Sequence, residues 1–236
     1  MNSQLPLALK FPPDQRFDGF VGNEAVRDLV ACIATGDLDD WLYLAGPPGS
    51  GKTHLLLAAC AESQSRGRRA AYLPLASVAG RLQEVLDGFD EAMLVCIDGL
   101  EAIAGERADE VALFHFHNRA RSSNTMVIYS ARSAPNELPL VLPDLGSRLG
   151  QCVRLQLETP DDDGRRQVLQ QRAARRGLEL DEAVLDFLFK RVGRDLATLT
   201  ALLDRLDKAS LAAQRRITVP FLKQALDLSH GDFLRS

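Results

Sequence analysis

The chain has 236 residues, 46% hydrophobic and 25% charged, with a net charge of -4. This is the mixture of a soluble globular protein of one large domain, or of a larger and a smaller one, and its acidic balance argues against a wholesale electrostatic grip on nucleic acid. No stretch reaches the ~18 apolar residues of a membrane span, and the first residues lack a positively charged n-region followed by a long apolar run, so a cytoplasmic location is expected.

Residues 1–159 carry 14 Lys and Arg against 20 Asp and Glu, and residues 160–236 carry 14 against 12. An acidic front and an Arg-rich, near-neutral tail suit contact with protein or nucleotide better than coating of DNA. Cys32, Cys60, Cys96 and Cys152 have no paired spacing, and the expectation is free, mostly buried thiols.

In chain order, Pro6, Pro12 and Pro13 keep residues 1–15 from forming a long helix and leave an extended arm. Apolar spacing predicts helices over 23–36, 52–67, 78–89 and 106–123. Short apolar runs predict strands over 39–46, 69–75, 92–99 and 125–132. Uninterrupted apolar strands alternating with helices indicate a parallel sheet covered on both faces, a three-layer αβα arrangement. From Asp161 onward only helical periods remain, at 161–176, 181–192, 195–213 and 218–227, with Thr159 or Asp161 as the first cap. The expected organisation is therefore an arm (1–15), an α/β domain (16–158) and a small helical domain (159–236).

The stretch GPPGSGKTHL at 46–55 carries the chemistry. Gly46, Gly49, Gly51, Lys52 and Thr53 fit the phosphate-loop pattern between a buried strand and a helix. The glycines, with Pro47, Pro48 and Ser50 between them, let successive N–H groups curl around phosphate. Lys52 supplies a cation for the terminal phosphates and Thr53 a hydroxyl for Mg²⁺. The helix start aims its positive end at the same anion. His54 follows directly; it is expected to pack or hydrogen-bond in the helix and is counted with the nucleotide-binding set. Asp98, ending the third strand, can hold the metal directly or through water. The residue after it is Gly99, where many loop-type ATPases carry a second acid, and the nearest carboxylate is Glu101, with a structural or metal-neighbouring role. This implies strong binding of ADP or ATP with weak or absent turnover by the chain itself.

The stretches RFDGFVGNEA (16–25), GPPGSGKTHLLLAACAESQSRG (46–67), VCIDGLEAIAGE (95–106), LFHFHNRA (113–120), LPDLGSRL (142–149) and GRDLATLTALLDRLDKASLAAQRRIT (193–218), with QLPLAL (4–9), resemble in this order the AAA+ family, and within it the DnaA-related Hda family. The resemblance implies an AAA+ phosphate-loop core followed by an all-helical lid. It places Phe17, Phe20 and Val21 beside the adenine, a role compatible with core packing. Arg148 matches the arginine finger that reaches ATP held by a neighbouring subunit, and Arg194 matches the sensor arginine that the lid returns to its own nucleotide. The family's sensor aspartate after the fourth strand is replaced by Ala131, flanked by Ser130 and Arg132.

From the residues alone, QLPLAL is an extended segment whose apolar side chains can fill pockets on a partner. By resemblance it is the motif that docks on the sliding clamp (β subunit) of DNA polymerase III, with Gln4 as polar contact, Leu7 and Leu9 in the pocket and Leu5 assisting. The resemblance thus implies regulatory inactivation of the initiator DnaA, with DNA met mainly through the clamp and a homodimer or head-to-tail oligomer open. The alternative is a DnaA-related initiation or loading factor that contacts DNA or the replisome.

Overall fold

A computed structural model describes residues 15–89, 91–192, 195–213 and 217–227. The arm with Gln4, Leu5, Leu7 and Leu9, and Arg194, lie outside the described residues. Internal contacts divide the chain after Thr159 into two compact units.

The first unit is a five-stranded parallel sheet in the order β2-β3-β4-β1-β5. β1 (Leu42–Ala45), β3 (Leu94–Asp98) and β4 (Met126–Ala131) occupy its centre and are buried almost throughout, as strands covered on both faces must be. β2 (Ala70–Pro74) closes one edge. α2 (Lys52–Ser65) packs on β2 and β3 and against α1 (Glu24–Thr35), and its Leu55, Leu56, Ala59 and Cys60 are fully buried. Gly36 ends α1 in the left-handed region at φ 85°, donating its N–H to Cys32 and Ile33 carbonyls.

Two parts depart from the sequence reading. The helix expected over 78–89 contracts to α3 (Leu82–Leu86) with a single 3-10 turn at Asp87–Phe89. Gly80, at φ 81°, breaks the run, and the buried carboxylate of Asp109 takes the N–H groups of Gly80 (2.6 Å) and Leu82 (3.3 Å) in place of a preceding helical turn. The sheet also has a fifth strand that the reading of four missed: β5 (Val153–Gln156), preceded by α5 (Pro143–Gly150). β5 is a short edge strand paired only with β1, and its mostly exposed side chains leave no apolar run to read.

α4 (Arg107–Ser122) begins with two buried acids, Asp109 and Glu110. Glu110 accepts from Gly105 N (2.8 Å), Val141 N (3.0 Å) and Leu142 N (2.7 Å), which fixes the chain where it enters α5.

The second unit is helical: α6 (Asp162–Arg175), α7 (Glu182–Arg191), α8 (Leu196–Ala213) and α9 (Val219–Asp227). Its own core gathers Leu169, Val184, Leu185, Leu188, Leu199, Leu206 and Leu222. Asp161 caps α6 by accepting from Gly164 N at 2.8 Å, and Asp181 caps α7 from Val184 N at 2.8 Å.

Candidate functional site

The phosphate loop runs from the end of β1 to the start of α2, at the carboxyl edge of the sheet, where open α/β folds bind ligands. Pro47, Pro48 and Gly49 are exposed and Ser50 is buried. Gly49 and Gly51 sit at φ 81° and 92°, left-handed backbone of the kind that lets a loop curl its N–H groups around an anion. Gly51 is needed twice over: a Cβ there would lie 2.5 Å from Phe20 Cε2. Gly46 N donates to Ala131 O (3.2 Å), tying the loop's first residue to β4.

Lys52 is buried, with its ammonium donating to the carbonyls of Gly46 (2.5 Å) and Pro47 (2.9 Å). Burial lowers its pKa from the ordinary lysine range, while Glu101 and Asp98 pull the other way. A cation held among loop carbonyls beside exposed glycine N–H groups is suited to the oxygens of a di- or triphosphate.

Asp98 lies at the tip of β3 and collects hydroxyls. Thr53 Oγ1 and Tyr72 Oη both donate to Oδ2 at 2.7 Å, and Ser130 Oγ donates to Oδ1. Strand register explains the convergence. Tyr72 faces Cys96 and Pro74 faces Asp98, so Tyr72 and Asp98 project from the same side of neighbouring strands, diagonally apart. The Gly99 N–H in turn donates to Ser130 Oγ at 3.1 Å, which aims that hydroxyl at the carboxylate. Sequence reasoning noted Ser130 only as a neighbour of Ala131 and did not single out Tyr72. A strand tyrosine two residues before the strand end, in register with the acidic strand, was the available signal.

Ala131 is fully buried. Its neighbour Arg132 pairs through Nε with Glu101 Oε1 at 3.1 Å, and its N–H donates to the other oxygen at 3.3 Å. Glu101 is thereby drawn into a structural ion pair. Phe17 opens a short 3-10 turn and is half-buried, Phe20 is buried and Val21 half-buried. His54 fastens this segment to α2: its Nε2 donates to Arg16 O at 2.8 Å, and its ring meets Phe20 edge-on at 5.5 Å.

Arg148 is brought elsewhere. It stands exposed on α5, and among the described residues no carboxylate pairs with it. Beneath this side of the sheet His117 stacks on Tyr129, donates from or accepts at Nδ1 with Tyr129 Oη (3.1 Å), and meets Trp41 edge-on at 4.6 Å. Arg121 covers the Trp41 ring at 4.1 Å. Burial and the positive charges of Arg121 and Arg148 push His117 down to about 4. Among the described residues no cluster of three His, Cys, Asp or Glu could hold a metal by itself. No helix among them is long and apolar enough to cross a membrane.

Comparison with known proteins places these features. Residues 42–157 match the model of the ATPase family associated with various cellular activities (AAA), and residues 162–226 match the model of the Hda lid domain. Domain III of the replication initiation protein DnaA from Thermotoga maritima superposes with a TM-score of 0.77 at 22% identity, covering 96% of this chain and 99% of that one. AMPPCP-bound DnaA from Aquifex aeolicus gives 0.68 at 23%, covering 85% and 67%. The RuvB branch migration motor of Thermotoga maritima gives 0.64 at 19%, covering 92% and 72%. A DNA replication initiation factor of known structure is matched over 65% of its length and 84% of this chain (0.69, 21%). At these identities the solved structures establish the fold, and the lid is the specific marker. The chain belongs to the AAA+ family, in its DnaA-related Hda branch.

Proposed function

We propose that this chain is a regulatory inactivator of DnaA: it holds ADP or ATP for its own shape, docks through residues 4–9 on the sliding clamp loaded on DNA, and lends Arg148 to the ATP bound by DnaA. The supporting observation is the contrast between its own site, where Asp98, Glu101 and Lys52 are all engaged by neighbours, and the exposed guanidinium on α5, which has no ion-pair partner among the described residues. A planar guanidinium with several donors suits a γ-phosphate whose charge spreads over its oxygens in the transition state. In the chain's own site Lys52 and the loop N–H groups would hold the phosphates, and the Thr53 hydroxyl would face a nucleotide-bound Mg²⁺. That metal would supply charge neutralisation between the phosphates. Phe17, Phe20 and Val21 would flank the base.

The deciding measurement is turnover of DnaA-bound ATP with clamp-loaded DNA, with and without this protein. Arg148→Ala is expected to lower the stimulation by about 10³-fold while nucleotide and clamp binding persist. Undiminished stimulation would remove the role of Arg148. In a clamp pull-down, Gln4→Ala with Leu7→Ala should abolish capture, and retained capture would remove the docking role of the arm.

A further inference from the structure

A carboxylate offers about four acceptor positions, and three on Asp98 are taken by Thr53, Tyr72 and Ser130. Thr53 at that place is part of any phosphate loop facing a strand-end acid. Tyr72 and Ser130 are further donors that the loop does not require. Tyr72 comes from the edge strand β2 and loads Oδ2 with a second hydroxyl; Ser130 comes from β4 and loads Oδ1 under the control of Gly99 N.

We infer that Tyr72 and Ser130 are positioning residues that hold Asp98 away from metal ligation, so that this chain retains its nucleotide with little dependence on Mg²⁺. The inference rests on the reading of the chain as a holder of nucleotide. Its physical basis is competition: a lone pair that accepts an O–H is not available to a cation or to a cation's water, and a hydrogen bond to a charged group is strong enough to bias the outcome. With three of its roughly four positions taken, Asp98 has little left for a metal, and affinity comes mainly from Lys52, the loop N–H groups and the helix start, none of which needs one. Ala131 adds no acceptor to replace it, and both Glu101 oxygens are drawn to Arg132.

The test uses the full chain alone, without DnaA or clamp, so its outcome is independent of the Arg148 experiment. Affinity for a fluorescent ADP is measured in Mg²⁺ and in EDTA. For the native chain the two values should agree within about threefold, and Tyr72→Phe should widen the ratio by about tenfold in favour of Mg²⁺ with the EDTA value unchanged. Ser130→Ala should widen it in the same direction, and serves if the tyrosine variant fails to fold. The inference is overturned by a native chain that already needs Mg²⁺ by about a hundredfold. It is equally overturned if both folded variants keep the native ratio, or lose affinity equally in both buffers as a merely structural role would require.

Discussion

The two ends of the nucleotide-binding unit treat charge in opposite ways. At the strand tips Lys52 is wrapped by carbonyls, Asp98 by hydroxyls and Glu101 by Arg132. On α5, Arg148 is exposed and without an ion-pair partner among the described residues. Groups that are already engaged can hold a ligand but are poorly placed to move a proton or orient water, because each new task means breaking an existing bond. An unengaged guanidinium carries no such cost and can be committed to a neighbour's phosphate. A protein that keeps a nucleotide and acts on another's would be built this way.

The Arg148→Ala loss of stimulation is the largest effect expected and breaks the comparison directly. Next comes the support of α5. Glu110→Ala removes the buried acceptor of the part-buried N–H groups of Gly105, Val141 and Leu142 and should cost about 2 kcal/mol in chemical denaturation. Glu110→Gln, which keeps one acceptor oxygen, should cost roughly half that while still reducing stimulation of DnaA more than nucleotide binding. If both variants stimulate normally, the placing of α5 by Glu110 is irrelevant to Arg148.

On the engaged side, Lys52→Ala should weaken nucleotide binding by about 10²-fold, equivalent to about 2.7 kcal/mol, measured by fluorescent ADP titration. Unaltered affinity would mean that the loop N–H groups suffice.

The His117 stack gives a pH test. Its folded pKa, about 4, lies below the usual 6.5, so the unfolded chain takes up a proton that the folded one refuses. Stability from this group is complete above about pH 6.5 and is lost as pH falls toward 4, reaching about 2 kcal/mol by pH 5. His117→Phe orphans the Tyr129 hydroxyl and is destabilised at pH 7.5, but its deficit relative to the native chain should shrink by that amount at pH 5. A deficit constant with pH would show that His117 titrates normally. The smallest effect belongs to the exposed pair: Arg132→Ala should change stability by less than about 1 kcal/mol. Any rise in the chain's own ATP turnover on freeing Glu101 would show that this pairing restrains catalysis.

Much of the molecule could be read from the chain itself. The phosphate loop, Asp98 and the helical second unit follow from local patterns, namely glycine spacing, an apolar run ending in an acid, and helical period behind an aspartate cap. Those patterns report on residues near in sequence. α5 and β5 were missed as elements because both are short: eight residues beginning with proline offer a single i,i+4 apolar pair, Leu145 and Leu149, and four mostly exposed residues offer two apolar side chains. The long helix expected at 78–89 failed because a buried aspartate 29 residues beyond Gly80 takes its N–H.

What only the tertiary structure decided is who engages whom. The grip of Tyr72 and Ser130 on Asp98, the capture of Glu101 by Arg132, and the anchoring of α5 by Glu110 all join side chains or N–H groups from separate elements. Sequence sets which groups exist and which local backbone they favour. Strand register and helix packing set which of them meet, and at this site those meetings separate a carboxylate able to work from one already occupied.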